Sequence, residues 1–360
     1  MDSMMGMPKW IWLQVIESCN LRCKMCYEWG ESGAYKERPE LKQLELSAIE
    51  QIINDCKDAK PHYDLFGGEP LLYPRIKEVL TMIKESGSTV SFPTNGTLLS
   101  KYAEMIVEAG PSRVWVSLDG PEEINDAQRG KGVYQKAMKG IDKLYELKQA
   151  AGTQLPEIGV TCTITPVNYI HLERFFFEEL DLSKLNCFSM ELQAYLTEEM
   201  HEQYVDLINE KFGVTRAPMA RGFVRQLSDF SEIDFVELQR QLTRVIEYCA
   251  NNNIYLNHYP KDVSAQNLKK YFSADALSMS TVKSRCIYPW LSTEVNARGD
   301  VTSCHAYYDL SLGNVYEQSL KEIWRGTKYK EFRKYLKKNL LPICTGCCLF
   351  YNDENFSNIG

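Results

Sequence analysis

Cys19-Asn20-Leu21-Arg22-Cys23-Lys24-Met25-Cys26 is the stretch on which the reading of this 360-residue chain turns. It follows directly on a strand-like run, Trp10 to Ile16. Three thiols at C-x3-C-x2-C spacing match no zinc-finger pattern, and three thiolates do not fill a tetrahedral zinc site alone. They suit a cubane iron–sulfur cluster, holding three irons and leaving the fourth without a protein ligand. An open iron is a place to bind a molecule and pass it an electron.

Outward from the cysteines, strand-like and helical stretches alternate. Leu46–Cys56 has helical spacing, with Ser47 as a candidate cap. Then come a strand at 63–66, a helix at 74–84, a strand at 89–92, a helix at 101–108 and a strand at 114–118. A helix at 134–148, a strand at 158–164, a helix at 171–179 and a strand at 185–192 follow. Six strand–helix steps predict a parallel α/β sheet with right-handed crossovers. Gly67-Gly68-Glu69-Pro70, Thr94-Asn95-Gly96 and Asp119-Gly120-Pro121 each follow a strand, where such sheets place active sites. A single turn of this kind carries no functional message; three in register with strand ends favour a site.

Past Leu192 the pattern changes. Helices are expected at 198–211 and 232–251, the second with Phe235, Leu238, Leu242, Val245, Ile246 and Cys249 on one face. The stretch 213–230 has no periodicity and reads first as a plain surface loop, with a lid or a substrate-contact segment as the alternatives. A strand is possible at 254–258. Near the C-terminus, Cys286, Gly299 and Cys304 form C-x12-G-x4-C, and Cys344, Cys347 and Cys348 follow. Between them, 320–338 reads as one amphipathic helix. Leu320, Ile323, Trp324, Phe332, Tyr335 and Leu336 are apolar, and Lys328, Lys330, Arg333, Lys334, Lys337 and Lys338 are charged. Its basic face is either simply solvated or a dock for an acidic electron donor or substrate carrier.

The net charge of −7 argues against a nucleic-acid partner. No run suggests a membrane span, and Met1 to Lys9 lack the pattern of a signal peptide, so a cytoplasmic location is expected. In that setting 12 cysteines clustered at the two ends of the chain read as metal or cluster ligands rather than disulfides. Cys56, Cys162, Cys187 and Cys249 sit in apolar periodic segments and read as core. His62, His171, His201 and His258 are scattered and read as structural.

Cys19-x3-Cys23-x2-Cys26 followed by Gly67-Gly68-Glu69-Pro70 resembles the radical SAM superfamily. Thr94-Asn95-Gly96-Thr97, Val116-Ser117-Leu118-Asp119-Gly120-Pro121, Asp126 and Arg129-Gly130 resemble its subgroup with a C-terminal SPASM or twitch extension. Cys286 to Cys304, Leu312-Gly313-Asn314-Val315 and Leu320-Lys321-Glu322-Ile323-Trp324 fit that extension. The resemblance implies an α/β fold: a partial (β/α)6 TIM-like barrel over 8–195, a helical insertion over 196–284, and a small cysteine-rich SPASM/twitch-like domain over 285–360.

It further implies a 4Fe–4S cluster on Cys19, Cys23 and Cys26, with S-adenosylmethionine (SAM) chelating the open iron. Gly67, Gly68 and Glu69 would meet the SAM ammonium, and Ser117 and Asp119 the ribose. Arg129 would take the SAM carboxylate, or else form a surface ion pair. Asn95 would shape the pocket, or else only its own turn. Met25 stands where the family often places an aromatic ring against adenine, and Tyr27 follows Cys26. No cysteine follows Cys348, which implies one auxiliary 4Fe–4S cluster on Cys286, Cys304, Cys344 and Cys347. Cys348 is the alternative to Cys347, and zinc the alternative metal.

The implied activity is reductive cleavage of SAM to a 5′-deoxyadenosyl radical that takes a hydrogen atom from substrate, with the auxiliary cluster accepting an electron. That makes the protein an oxidoreductase fed by an electron donor such as flavodoxin or ferredoxin. Glu191, His305 and Asp309 are the candidate catalytic residues; Glu191 serves only if strand alternation turns it inward. The substrate is expected to be a small metabolite. Peptide modification is the alternative, although peptide maturases often add a recognition domain of roughly 80 residues before the cluster motif, in the usual small-domain range. A non-enzymatic iron–sulfur or zinc scaffold would not need Gly67–Glu69.

Overall fold

The computed structural model describes residues 6–36, 38–280, 285–305 and 307–351. The end of the C-terminal segment, 352–360, lies outside the described residues. Strand β1 (Trp10–Ile16) is buried on both faces after its first residue, as a central parallel strand must be. Helix α1 (Leu46–Cys56) packs Ala48, Ile49, Ile52, Ile53 and Cys56 inward. Each fully buried aliphatic side chain of this kind contributes about 1.5–3 kcal/mol.

The alternation continues through β2 (His62–Gly67), α2 (Ile76–Glu85), β3 (Thr89–Thr94), α3 (Leu99–Ala109) and β4 (Arg113–Ser117). Helices α4 (Glu122–Arg129) and α5 (Val133–Ala150) lead to β5 (Glu157–Ile164). The helix expected at 171–179 is irregular: a 3-10 turn, a single α-helical turn α6 (Leu172–Arg174) and a π-turn, Phe175–Glu179. It leads into β6 (Cys187–Leu192).

The insertion holds α7 (Glu198–Phe212), the single turn α8 (Pro218–Arg221), α9 (Phe235–Asn251), β7 (Tyr255–Tyr259) and α10 (Ala265–Phe272). It also extends the sheet, because β7 pairs parallel with β6 from Cys187↔Tyr255 to Glu191↔Tyr259.

The cysteine-rich end joins the same sheet from the other side. Strand β8 (Ser292–Val295) pairs parallel with β1, Trp10↔Ser292 to Leu13↔Val295. Then β9 (Asp300–Thr302) and β10 (Gly313–Asn314) add antiparallel. The order is β10-β9-β8-β1-β2-β3-β4-β5-β6-β7. The fold is thus α/β, with a six-strand parallel core extended on both sides, and β8 covers an edge of β1 that would otherwise be open.

The helix expected over 320–338 is two, α11 (Leu320–Arg325) and α12 (Thr327–Leu336), broken at Gly326. Arg333, counted with the charged face, is buried. Its guanidinium donates to the Pro289 and Trp324 carbonyls and lies 4.0 Å from the centres of the Trp324 and Tyr329 rings. Among the described residues, no helix is long and apolar enough to cross a membrane.

Candidate active site

The loop after β1 is shaped by its own backbone. Cys26 N donates to Cys23 O at 3.1 Å, and Gly30 N to Cys26 O at 2.9 Å. A Cβ on Gly30 would stand 2.3 Å from Cys26 O, so only glycine closes this turn. Two amides point at sulfurs: Leu21 N lies 3.4 Å from Cys19 Sγ and Trp29 N 3.3 Å from Cys26 Sγ. Such donors favour the thiolate. Burial acts the other way, pushing Cys19 up to about 12 and Cys26 up to about 11. A positive metal centre at the loop would offset that cost and release the protons.

The glycines of the second turn answer to the chain itself. Gly67, at φ +143°, would put a Cβ 2.1 Å from Ile16 O, and Gly68 one 2.2 Å from Ser18 O. Their absence of side chains lets Gly68 N and Glu69 N bond to Ile16 O and Ser18 O, at 2.9 and 3.0 Å. The buried Glu69 carboxylate accepts from Leu71 N at 3.1 Å and from Thr94 Oγ1 and Asn95 N at 2.8 Å each. It therefore locks the turn after β3. Asn95 closes that turn by accepting from Thr97 N and donates to Asn20 Oδ1 at 2.9 Å, which ties it to the cysteine loop.

Asp119 departs from its expected place at a ribose. It is fully buried, and its oxygens accept from Arg129 Nε at 2.6 Å, Arg129 Nη2 at 3.0 Å and Thr163 N at 2.9 Å. Its charge is spent on positioning Arg129. Arg129 is thus no surface pair: burial works against its charge, but Asp119 and Cys23 outweigh it and raise its pKa. Asp119 takes only its Nε and Nη2, and Cys23 shares a side-chain hydrogen bond with the guanidinium.

At the C-terminal end, half-buried Cys304 lies within electrostatic reach of Cys344, Cys286 and Cys347, and desolvation pushes its thiol well up. Cys348 is not among the groups acting on Cys304 or Cys344; its hydrogen bond with Cys347 and its burial raise its thiol, and Glu191 lies within electrostatic reach of it. The turn sits tight on the end of β6, where a Cβ on Gly346 would lie 2.5 Å from Tyr195 O. Glu191 does turn inward; Ser189 Oγ donates to it at 3.2 Å, and burial raises its pKa. His305 Nδ1 pairs with Glu294 Oε2 at 2.8 Å, and its ring lies 4.9 Å from Trp12.

Asp309, expected to be catalytic, is instead a helix cap. Its two oxygens accept from Met219 N at 2.8 Å and Ala220 N at 2.9 Å, and it does not line the cavity described below. Burial pushes its carboxyl up to about 6. A carboxyl raised on folding contributes stability at low pH that is lost as pH rises through its folded value. The stability of wild type over Asp309→Ser is therefore expected to fall by ~1–2 kcal/mol between about pH 5 and 7.5, read from urea unfolding.

These parts surround one cavity of about 330 Å³. Cys19, Cys23, Cys26, Met25, Tyr27, Gly67–Glu69, Asn95, Ser117 and Arg129 line it, and so do Glu191, His305, Cys347 and Cys348. The donor chemistry fits clusters: none of these cysteines is in a disulfide. Among the described residues no three His, Cys, Asp or Glu converge as tightly as ligands of a single ion. A cubane is itself several ångströms wide, so its thiolates stand further apart. A guanidinium, a serine hydroxyl, a thioether and a ring fit a ligand with carboxylate, ribose and base.

Periodicity missed several residues of this site. Thr163, Gln193 and Phe223 line the cavity. Phe223 stacks on Tyr27 at 4.2 Å, and Arg225 donates to Met25 O at 3.3 Å and Ser32 Oγ at 2.9 Å. Both belong to the aperiodic 213–230 stretch, which proves to be the outer wall of the cysteine loop. The only signal was an arginine beside aromatics in a loop.

The family model of the radical SAM superfamily matches residues 13–169, and that of the SPASM iron–sulfur cluster-binding domain residues 286–348. The tungsten-containing aldehyde ferredoxin oxidoreductase cofactor-modifying protein of Pyrococcus furiosus is 25% identical over 95% of this chain and 87% of its own. Fe-coproporphyrin III synthase of Methanosarcina barkeri is 26% identical over 88% of this chain and 73% of its own. The fold is similar to Streptococcus suis SuiB bound to SAM (TM-score 0.64, 17% identity, 97% of this chain and 73% of that one). It is also similar to anSMEcpe with bound SAM (TM-score 0.61, 17% identity, 96% and 92%). The cavity faced by two cysteine sets thus has its explanation: this chain belongs to the radical SAM superfamily, with SAM and 4Fe–4S clusters as cofactors and a C-terminal SPASM domain.

Proposed function

We propose that the protein is a radical SAM oxidoreductase whose substrate lies between its two cysteine sets. The observation that carries this is that Cys347, of the C-terminal cysteine set, lines the same cavity as Cys19, Cys23 and Cys26. The first three cysteines would hold the SAM-binding cluster, and Cys286, Cys304, Cys344 and Cys347 an auxiliary one. When bound, SAM and the first cluster supply removal of a hydrogen atom from substrate, and the auxiliary cluster supplies an electron sink.

The chain's own residues do the rest. Arg129, fixed by Asp119, offers its guanidinium to a carboxylate. Ser117 offers a hydroxyl, and Met25 and Tyr27 an apolar wall. Gly67–Glu69 keep the Asn95 turn against the cysteine loop. Glu191, raised by burial and held by Ser189, takes the proton that leaves an oxidised substrate carbon or oxygen. His305, oriented by Glu294, is the second polar group at that wall. Cys347 is favoured over Cys348 as ligand because it makes the C-x2-C spacing with Cys344 and is the one of the two that acts on Cys304 and Cys344.

A small metabolite is the first reading, as the sequence leads one to expect. A peptide is the second reading, favoured by the likeness in fold to SuiB, one structure of which is bound to the precursor peptide SuiA. An electron donor such as flavodoxin or ferredoxin would serve either. Deuterated candidate sugars, amines and peptides, with deuterium recovered in 5′-deoxyadenosine, separate the two readings; transfer from none of them counts against both. Glu191→Gln is expected to lower product formation ~10²–10⁴-fold while SAM cleavage persists, measured as the ratio of product to 5′-deoxyadenosine.

A further inference from the structure

The outer face of α12 is a charge with no internal counterpart. Lys328, Lys330 and Lys334 are exposed there, and Lys337 and Lys338 just past the helix end, opposed on the helix by Glu331 alone. Among the described residues none of the five lysines makes an ion pair with a carboxylate. Lys330, Lys334 and Lys338 recur at i, i+4, a spacing at which like charges repel and cost the helix stability. Lys330, Glu331, Lys334 and Lys337, with Thr327, line a shallow groove of about 370 Å³. This stands on a chain whose net charge is −7.

The inner side of the same helix lies against the auxiliary cysteines. Tyr329 is fully buried, donates to Ser292 O at 3.3 Å and lies within the electrostatic reach of Cys304. Half-buried Tyr335 is similarly close to Cys344. Just past the helix, Leu341 N points at Cys344 Sγ from 3.3 Å. The lysine-bearing helix therefore runs into the turn that carries Cys344.

We propose that the outer face of α12 docks an acidic one-electron carrier protein over the auxiliary cluster, and that one electron crosses there. The carrier loses the electron that the cluster gains, or the reverse, and no bond forms or breaks. This rests on the redox role proposed above for that cluster. Charge complementarity selects the partner, and proximity to the cysteines selects a redox protein over another polyanion.

The test follows reduction of the auxiliary cluster in fully loaded protein by anaerobic stopped flow, using chemically reduced acidic flavodoxin, and dithionite in parallel. Lys330→Glu/Lys334→Glu/Lys337→Glu is expected to slow flavodoxin ~10–10²-fold at low salt and to flatten its salt dependence, with dithionite unaffected. A Gln triple variant is expected to fall between. Equal flavodoxin rates in variant and wild type, no reduction of wild type by flavodoxin, or an equal loss with dithionite overturns docking. So does salt-sensitive retention on RNA or anionic vesicles with flavodoxin rates unchanged. A cluster that dithionite cannot reduce in wild type fails the redox reading itself, a result distinct from loss of docking.

Discussion

Cys23→Ala is expected to cost the protein about four irons per chain and to lower 5′-deoxyadenosine formation by at least ~10³-fold. The reason is chemical and local. Cys23 supplies one of three thiols in a loop whose turn Gly30 alone can close, and that loop has no fourth cysteine to replace it. With two ligands the cluster is lost, and with it the centre that reduces SAM. The C-terminal cysteines lie on other elements, so their iron is expected to remain. Iron analysis and chromatography of the SAM cleavage products check both halves. Unchanged 5′-deoxyadenosine from a variant lacking the N-terminal cluster would contradict the assignment.

Asp119→Ala is expected to destabilise the fold by ~3–5 kcal/mol, the scale for breaking one side of a buried ion pair. Asp119 is fully buried, and Arg129 is left with an uncompensated charge. Asp119 also accepts from Thr163 N, so the cost includes an orphaned amide between β4 and β5. A double variant, Asp119→Asn/Arg129→Met, removes both charges and is expected to recover much of the stability. It is not expected to recover SAM affinity, because the guanidinium donor is gone. Urea unfolding and equilibrium SAM binding separate these effects. Full SAM affinity in the double variant would assign Arg129 a purely structural role.

How much of this was legible depended on how local the cause is. Strand β1 and helix α1 match their expected bounds to the residue, because burial on a strand or helix face writes a short period into the sequence. Gly326 was hidden in a continuous apolar stripe, so one helix was expected where there are two. Strand β8 is four residues long and pairs with β1 some 280 residues away, so no local signal marks it.

The cysteines and strand-end turns could be found by spacing. What the polar residues of those turns already bond could not. Asp119 and Asp309 carry charges that looked available, yet one is spent on Arg129 and the other on two backbone amides. Gly67 and Gly68 looked shaped for a ligand, and the nearest demand on them is the chain at Ile16 and Ser18.

The central claim is that one cavity is served by two clusters, of which one alone binds SAM. Electron paramagnetic resonance of the anaerobically reconstituted, dithionite-reduced protein tests it directly. The account predicts about eight irons per chain and two cluster signals. SAM should shift one of them, and that signal should be missing in Cys23→Ala. Zinc in place of iron at the C-terminal cysteines, or two clusters neither of which responds to SAM, would contradict it.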